Sequence, residues 1–505
     1  MRTPRNILFI LADQWRADSL SAVGHPVVQT PTLDALAKDG VLFRQHYAQA
    51  SPCGPSRASI LTGMYLQNHR STRNGTPLDA RFTNVARELR KTGYDPGLIG
   101  YTDTSADPRG RDPEDPALRT YEGVMPGFTP VLLLPEDPVV WLAYLRRLGY
   151  DVPARGRVGA SQPVANHPNA EKRGPTYAPA IYKAEHSDTA FTTDTALDYI
   201  AARKDGPWCL HLVYLRPHPP FIAPEPYNKL YHPDAVPPFR RAASVEEEAA
   251  QHPYLAWHLS RERKAATMPE AHLRQLRATY YGLIREVDDQ IARVISYLKE
   301  TGQYDDTLIV FSCDHAEMLG DHWYLGKDGY FDQAYHIPLI VRAPGGVQGR
   351  VVDAFTEGID LMPTILELAS RAIPVQCDGA SLVPWLRGET PSRWREEVHW
   401  EFDFRDVVGG APERALGIRL DECCLNVIRD RQYKYVHFAA LPPLLFDIAN
   451  DPDERRNLAG DPAHAKTMLR YAQKMLSWRM VNDERTLTGI HLNQSGPTER
   501  PREHR

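Results

Sequence analysis

The chain has 505 residues, of which 42% are hydrophobic and 24% charged, with a formal net charge of −5 and a pI near 6.4. The composition is typical of a globular enzyme, and the length suits one large α/β domain with a smaller domain appended. The negative balance argues against nucleic acid or an anionic membrane surface as a partner.

Apolar runs and cysteines limit the cellular setting. Residues 7–12 form the longest apolar run near the start, which is too short for a signal-peptide core, and no run approaches the length that spans a bilayer. We therefore expect a cytoplasmic protein that does not associate with a membrane. The six cysteines show no C-x-x-C pair and no zinc spacing, so we expect mostly reduced thiols, with Cys209 and Cys313 in the core.

The first four fifths of the chain alternate between apolar runs and amphipathic stretches. In chain order the sequence predicts a strand at 6–12, a helix at 32–39, a turn at 53–57, a helix at 58–65, a strand at 96–102, long surface excursions over 103–190, a strand at 208–215, a helix at 270–299, strands at 307–312 and 337–342, and a helix at 361–370.

The pattern changes after residue 392. Short strands are predicted at 398–402, 424–429, 433–438 and 443–447, followed by a helix at 463–480 and a polar tail. We therefore divide the chain into a catalytic domain, residues 1–392, and a C-terminal subdomain, residues 393–505, with a small antiparallel sheet, a helix and a tail.

Alternating strands and helices predict an α/β fold with a mostly parallel sheet that is covered on both faces. Ligands bind at the carboxyl ends of the strands in such sheets. Asp13, Thr102, His218 and Asp314 all fall at or just beyond predicted strand ends. This coincidence indicates a functional site at that edge.

One short motif indicates a particular chemistry. Residues 53–57 read C-G-P-S-R and residues 61–63 read L-T-G. This resembles the signature of the sulfatase family, in which a formylglycine-generating enzyme acts transiently on the chain and oxidises the cysteine to formylglycine. The alternative is that Cys53 is a reduced cysteine in an ordinary turn.

The resemblance extends over nearly the whole chain. Within the alkaline phosphatase superfamily the sequence is most similar to phosphonate monoester hydrolases and arylsulfatases, in the motifs D-Q-W-R-A-D at 13–18, N-H-R at 68–70, I-G-Y-T at 99–102 and Y-V-H-F-A-A-L-P-P at 435–443. It implies an alkaline-phosphatase-like central sheet flanked by helices. The tail after Trp478 resembles an oligomerisation extension, which implies a homo-oligomer, either a dimer or a tetramer.

The resemblance also implies one divalent metal ion, Mn²⁺ or Ca²⁺. Its ligands would be Asp13, Gln14, Asp314 and His315, with an oxygen of the modified Cys53 completing the shell. Many sulfatases have all-oxygen sites that suit calcium, and the imidazole here shifts the preference toward manganese. The alternative is that Asp314 is a cap and His315 a surface histidine.

Three further residues match catalytic positions of the family. Arg57 would stabilise charge at the nucleophile, since a guanidinium is a fixed donor without a nearby proton equilibrium. His218 would assist the leaving group as donor or general acid, and Lys327 would contact a non-bridging oxygen of the substrate. The alternatives are an exposed helix arginine, a structural histidine and a solvated loop lysine.

The substrate pocket is less clearly marked. By resemblance to phosphonate hydrolases, Asn74 and Tyr101 would contact the substrate, and an ordinary polar role is the alternative for each. The chain lacks the lysine that follows G-Y-x-T in many sulfatases, and it has Asp103 where phosphonate hydrolases tend to carry threonine. An added carboxylate would disfavour a second anionic substituent on the substrate or would pair with a cation.

These residues together predict a formylglycine- and metal-dependent hydrolase of small-molecule esters. The substrates would be monoanionic sulfate monoesters, phosphonate monoesters or phosphodiesters, cleaved through a covalent intermediate on the modified Cys53. Two alternatives remain: a non-catalytic binding protein with a sulfatase-like fold, and a two-metal phosphatase of the same superfamily.

Overall fold

The computed structural model describes residues 1–156, 159 and 161–500. Its strands are β1 (Asn6–Asp13), β2 (Val41–Tyr47), β3 (Ala50–Ser51), β4 (Pro96–Gly100), β5 (Thr129–Leu133), β6 (Cys209–Pro217), β7 (Thr307–Cys313), β8 (Leu339–Arg342), β9 (Arg350–Glu357), β10 (Val398–Asp403), β11 (Cys424–Arg429), β12 (Tyr433–Phe438), β13 (Leu444–Asp447), β14 (Ile490–Asn493) and β15 (Gly496–Glu499).

Helices connect and cover these strands. In the described part of the chain they are α1 (Pro31–Lys38), α2 (Cys53–Thr62), α3 (Leu66–His69), α4 (Val85–Arg90), α5 (Val139–Arg147), α6 (Ala170–Arg173), α7 (Asp188–Ala201), α8 (Val245–Ala249), α9 (Pro253–Leu259), α10 (Glu270–Glu300), α11 (Asp332–Tyr335), α12 (Leu361–Leu368), α13 (Val383–Leu386), α14 (Ala411–Leu416) and α15 (Ala465–Val481).

Eight strands form the large sheet, in the order β5-β4-β6-β1-β7-β8-β2-β9. Strand β1 pairs in parallel with β6 and β7, and β8 runs antiparallel to both of its neighbours. The sheet is therefore mostly parallel, as the alternation of strands and helices predicted.

Both faces of this sheet are buried. Leu8, Ile10 and Ala12 of β1 belong to one apolar cluster, and Ile7 and Phe9 belong to a second cluster on the opposite face. Successive side chains of a strand point to opposite faces, so an unbroken apolar run is needed where helices cover both. This is why β1 reads as continuous apolar sequence up to Asp13.

Several parts of the chain differ from the prediction: strands β2 and β9 of the large sheet were not predicted, and two segments rich in proline and glycine were misassigned. The segment at 53–57, predicted as a turn, is the first half of helix α2, which begins at Cys53. The segment at 103–190, predicted as mostly surface excursions, contributes β5 to the edge of the large sheet and also contains α5. Both errors have one cause, because proline and glycine in a short segment indicate a turn unless tertiary packing is known.

A second sheet has the order β13-β12-β11-β10-β3. Its four C-terminal strands are antiparallel, as predicted, but β3 comes from the residues just before helix α2 and pairs in parallel with β10. The small sheet is thus tied directly to the start of α2. The boundary between residues 392 and 393 stays a prediction.

The C-terminal tail is more regular than its sequence suggested. After α15 the chain forms the hairpin β14–β15, with Ile490 and Leu492 exposed. Among the described residues, no helix combines the length and the apolar character that crossing a membrane requires.

Candidate active site

Several predicted site residues meet at the carboxyl edge of the large sheet. Asp13 ends β1, Asp314 follows β7, Tyr101 follows β4 and His218 follows β6. Strands β4, β6, β1 and β7 are successive neighbours in the sheet and run parallel, so their ends lie side by side. The order of the strands therefore brings four residues that are distant in the sequence together in one site.

Helix α2 brings Cys53 to this edge. The helix begins at Cys53, tolerates Pro55 because that position lies in the first turn, and ends at Thr62, followed by Gly63, whose φ of 70° favours glycine. The amide of Gly54 donates to Oδ1 of Asn74 at 2.9 Å, and a Cβ at Gly54 would lie 3.0 Å from that oxygen. Asn74 therefore caps the helix that carries Cys53.

Four buried side chains form a cluster that could hold a metal ion. One ligand atom from each of Asp13, Cys53, Asp314 and His315 lies within 4.8 Å of the others. Oδ1 of Asp13 is buried and has no hydrogen-bond partner. A buried carboxylate oxygen without a hydrogen-bond donor lowers the stability of the fold. The neighbouring carboxylate, sulfur and imidazole groups can all bind metal ions, so a cation is a suitable partner for this oxygen. The residues present therefore fit a divalent ion.

The two carboxyl groups of this cluster have pKa values shifted in opposite directions. Burial alone would raise the pKa of Asp13, but electrostatic interactions with His218, Lys327 and Arg57 outweigh it and hold this pKa well below its ordinary range. Burial, reinforced by the neighbouring Asp13, raises the pKa of Asp314 to about 6. Two close carboxylates disfavour ionising together, and a bound cation would remove that penalty.

Arg57 connects the two carboxylates. Its Nη2 lies 3.0 Å from Oδ2 of Asp13 and 3.0 Å from Oδ2 of Asp314, and its guanidinium lies 4.2 Å from the ring centroid of Tyr101. The Tyr101 hydroxyl also donates to Oδ2 of Asp13, at 2.6 Å. Because both donors take the same oxygen, Oδ1 of Asp13 is left open toward the cluster. The structure thus places Tyr101 on a metal-ligand candidate.

Lys327 lies beside Cys53. Its Nζ lies 3.0 Å from Sγ of Cys53 and 2.9 Å from Oε1 of Gln14, and Nε2 of His315 lies 3.3 Å from the same sulfur. Burial, followed by the charge of Asp13, raises the pKa of the Cys53 thiol well above its ordinary value. Burial, followed by Lys327, lowers the pKa of His315 to about 3, so the imidazole is neutral and able to act as a ligand.

His218 lies in a rigid turn after β6. Its Nδ1 is 2.7 Å from the carbonyl oxygen of Pro219, so Nδ1 carries the proton and donates it, and Nε2 is the ring atom free for chemistry. Burial, followed by Lys327, lowers the pKa of His218 to about 3. A bound anion would oppose that shift.

Asp103 is buried next to Arg57. Its Oδ2 lies 3.9 Å from Nε of Arg57, and its φ of 48° is in the left-handed region. Burial raises the pKa of Asp103 to about 7, against the opposing charge of Arg57. The carboxyl group is therefore close enough to the site to affect its charge.

Other residues that position the site were not identified from the sequence. Tyr280 of α10 donates its hydroxyl to the carbonyl of Gln14 at 2.8 Å, and Nη1 of Arg216 donates to the carbonyls of His218 at 3.1 Å and Pro220 at 2.9 Å. Arg216 directly precedes the proline-rich turn, which is a weak signal. Tyr280 lies in a long amphipathic helix, where nothing distinguishes it from a core residue.

The sheet, the helix on the cysteine and the buried carboxylate–histidine cluster define an alkaline-phosphatase-like hydrolase. The chain belongs to the sulfatase family of that superfamily. The family model described as Sulfatase matches residues 5–371, and the model for the C-terminal part of N-sulphoglucosamine sulphohydrolase matches residues 320–481. The chain is therefore a hydrolase, and the alternative of a non-catalytic binding protein is not supported.

Individual relatives are similar over their full length. The chain is 45% identical to the multifunctional alkaline phosphatase superfamily protein PehA of Trinickia caryophylli, over 99% of each chain. It is 46% identical, with a TM-score of 0.93, to the structure of the phosphonate monoester hydrolase of Agrobacterium radiobacter, covering 99% of this chain and 100% of that one. An arylsulfatase of Clostridium perfringens is more distant, at 27% identity over 93% of each chain.

Proposed function

We propose that the protein is a formylglycine- and metal-dependent hydrolase of monoanionic phosphonate monoesters, phosphodiesters and sulfate monoesters. The observation that carries the proposal is the cluster of Asp13, Cys53, Asp314 and His315, with Oδ1 of Asp13 buried and unpartnered. The similarity to proteins named phosphonate monoester hydrolases supports it, and the more distant arylsulfatases keep sulfate esters among the candidates.

One divalent ion would be held by Asp13, Gln14, Asp314 and His315, together with the modified residue 53. When bound, the ion supplies positive charge for the non-bridging oxygens of the ester and lowers the pKa of a hydroxyl group. Both Mn²⁺ and Ca²⁺ suit the oxygen ligands, and the imidazole favours Mn²⁺.

The environment of Cys53 supports its conversion to formylglycine. A thiol whose pKa is raised is a poor nucleophile at neutral pH, because the thiolate is the reactive form. An oxidised residue 53 would present oxygen in place of Sγ, next to Lys327 and His315. We therefore propose that a formylglycine-generating enzyme acts transiently on the chain.

The chain's own side chains then have separate tasks. Arg57 holds the carboxylates of Asp13 and Asp314 in place, and Lys327 presents an ammonium group to the anionic ester. His218 would donate a proton from Nε2 to the departing oxygen once the bound anionic ester has raised its pKa and Nε2 has taken up a proton, while Nδ1 keeps its own proton on the carbonyl of Pro219. The modified residue 53 would supply the oxygen that bonds to phosphorus or sulfur as the bond to the alcohol breaks.

Residues near the pocket affect which esters are accepted. Arg57 and Lys327 balance Asp13 and Asp314, and Asp103 adds a further carboxyl group near Arg57. A second ionised substituent on the substrate would meet that carboxyl group, so we propose a preference for monoanions. The capping contact of Asn74 to Gly54 and the contact of Tyr101 to Asp13 support positioning roles beside their proposed contact with the substrate.

A turnover comparison tests the proposed function. The Mn²⁺-loaded protein should hydrolyse an aryl phenylphosphonate, an aryl phosphodiester and an aryl sulfate in the same site, and mass spectrometry should find formylglycine in the peptide that contains residue 53. Cys53→Ala should lower all three rates on the order of 10⁴- to 10⁶-fold, as loss of a nucleophile does. Hydrolysis by Cys53→Ala at the parent rate, or an active preparation containing only cysteine at position 53, would contradict the proposal.

The remaining alternative is a two-metal phosphatase of the same superfamily. In the described part of the chain, one group of His, Cys, Asp and Glu side chains is arranged to hold a metal ion, and it includes Cys53, where such phosphatases carry serine or threonine. Two metal ions per chain in elemental analysis would favour the phosphatase.

We also propose that the protein is a homo-oligomer, with a dimer and a tetramer both open. Helix α15 and the tail expose large apolar side chains, which support a contact with a second copy: Leu469, Leu476, Met480, Leu487 and Leu492. Light scattering of the parent and of a Leu476→Lys variant tests this. A cytoplasmic location stays a prediction.

A further inference from the structure

Glu317 is a buried carboxylate that the proposed chemistry does not use. It lies two residues after His315, is 1% exposed, and accepts hydrogen bonds on both oxygens. Its Oε2 accepts from Nε2 of Gln14, and its Oε1 accepts from the amides of Leu319 at 3.1 Å and Gly326 at 2.5 Å. All three partners are donors, so both oxygens of Glu317 act as acceptors.

The carboxamide of Gln14 lies between Glu317 and Lys327. Its Nε2 donates to Glu317, and its Oε1 accepts from Nζ of Lys327 at 2.9 Å. An amide can exchange its oxygen and nitrogen by rotation, but here one neighbour only accepts and the other only donates. In a rotated amide the oxygen would face the acceptor Glu317 and the nitrogen would face the donor Lys327. The two neighbours therefore favour the observed orientation.

The backbone of Gln14 leaves little freedom for another solution. Its φ of 69° lies in the left-handed region, and its carbonyl oxygen accepts from the hydroxyl of Tyr280 at 2.8 Å. These constraints on the main chain therefore also limit where the side chain of Gln14 can lie. Through Gly326, Glu317 also fixes the loop that carries Lys327, so one carboxylate orients both polar groups beside Cys53.

We propose that Glu317 is a positioning residue that directs the oxygen of Gln14 toward the metal site. The inference rests on the metal site of the proposed function. An amide binds a cation through oxygen and not through nitrogen, so a rotated Gln14 would lose its ligand atom. Glu317 also gives a reason for glutamine at position 14: an acidic residue there would place two carboxylates in direct contact.

Mn²⁺ affinity, measured by calorimetric titration of the metal-free protein with Mn²⁺ alone, tests this role. Glu317→Gln preserves the shape of the side chain but replaces one of its two acceptor oxygens with an NH₂ group, which must then face a donor. The amide of Gln14 therefore loses its fixed orientation. We expect binding weaker by about 10- to 100-fold, the usual cost of removing a partner of a metal ligand. The matched control is Glu88→Gln, another buried glutamate, whose partners Thr83, Lys91 and Arg371 lie outside the site; it should retain the parent affinity.

The sign of the effect should reverse in a second background. In Gln14→Glu, both side-chain oxygens can bind metal and Glu317 repels the new carboxylate, so adding Glu317→Gln should strengthen Mn²⁺ binding. A merely structural role for Glu317 would weaken binding in both backgrounds, and that result would overturn the inference. So would an unchanged affinity of Glu317→Gln in the parent background.

Two outcomes separate this inference from the proposed function. A parent protein that binds no Mn²⁺ would overturn both, whereas a parent that binds Mn²⁺ and is insensitive to position 317 would overturn the inference alone. If thermal melting shows that Glu317→Gln does not fold, Glu317→Asp and Glu317→Ala make the same comparison. The aspartate keeps the acceptors and should bind Mn²⁺ more tightly than the alanine, and equal affinities would contradict the proposal.

Discussion

Two regions of the molecule bury several charged side chains, and they are built differently. Beneath the small sheet, Lys434 of β12 forms ion pairs with Asp332 and Glu454 and donates to the carbonyl of Tyr330 at 3.0 Å, while Arg429 pairs with Asp332. We call these four charged residues the buried ion cluster. The ammonium group of Lys434 is therefore surrounded by two carboxylates and one carbonyl oxygen.

The active site is assembled the other way. Arg57 and Tyr101 share one oxygen of Asp13 and leave the other without a donor, although both oxygens are buried. The buried ion cluster joins helix α11 to the small sheet through opposite charges, whereas the active site places the open oxygen of Asp13 beside three other possible metal ligands. The arrangement of several possible ligand atoms around one point therefore indicates function here better than burial of charge does.

The largest expected effect concerns His218 and Arg57. If His218 delivers a proton to the departing oxygen, His218→Ala should slow esters with poor leaving groups by about 10²- to 10⁴-fold and esters with good leaving groups much less. Arg57→Ala should slow all esters by a similar factor, because its charge acts at the carboxylates of Asp13 and Asp314. Rates for a series of aryl and alkyl esters of one acid, plotted against leaving-group pKa, measure this.

Parallel lines for the two variants would assign His218 to binding non-bridging oxygens. A steeper line for Arg57→Ala than for His218→Ala would reverse the two roles. The parent enzyme, measured on the same esters, provides the reference slope.

A smaller effect, on stability, should come from the buried ion cluster. Lys434→Met leaves Glu454 buried without its ammonium partner and leaves the half-buried Asp332 with Arg429 alone, and removing one partner of a buried pair typically costs about 3–5 kcal/mol of unfolding free energy. Mn²⁺ affinity should be unchanged, since no member of this cluster contacts the metal-ligand candidates. Denaturant unfolding and a Mn²⁺ titration check the two parts, and a large loss of Mn²⁺ affinity would show that the regions are coupled.

A pH-dependent effect on stability should come from Asp103. Burial raises its pKa from 3.8 to about 7, so between these values the folded chain keeps a proton that the unfolded chain has lost. Stability attributable to Asp103 is therefore present at low pH and lost as the pH rises through this range. Asp103→Asn should gain stability relative to the parent over that interval, by up to about 1.4 kcal/mol per pH unit.

Asp107→Asn is the control with the opposite sign. Hydrogen bonds from Arg109 hold the pKa of Asp107 below its ordinary value, so the parent should lose its stability advantage over this variant only under acidic conditions. Thermal unfolding of both variants at several pH values makes the comparison. A flat stability difference for Asp103→Asn between about pH 4 and pH 7 would show that Asp103 is not buried in its uncharged form.

Much of the fold could be predicted because local sequence patterns indicate its strands and helices. The apolar run before Asp13 and the alternation of strands and helices are sufficient for a mostly parallel sheet, and the four short strands after residue 398 are sufficient for an antiparallel one. Strand β3 could not be predicted, because two residues carry no periodicity. The prediction was wrong at the start of helix α2, because proline and glycine are typical of loops and both occur here in the first helical turn.

The sequence by itself determined the residue types of the site: the C-G-P-S-R signature, the carboxylates at strand ends and the histidines near them. Only the tertiary structure decided which oxygen of Asp13 has no hydrogen-bond donor and which atom of Gln14 faces Lys327. It also places Glu317 where it orients the amide of Gln14. Residue types follow from short motifs, which are local. The orientation of an amide or a carboxylate depends on donors and acceptors that come from strands and loops hundreds of residues apart, and the order of strands in the sheet brings them together.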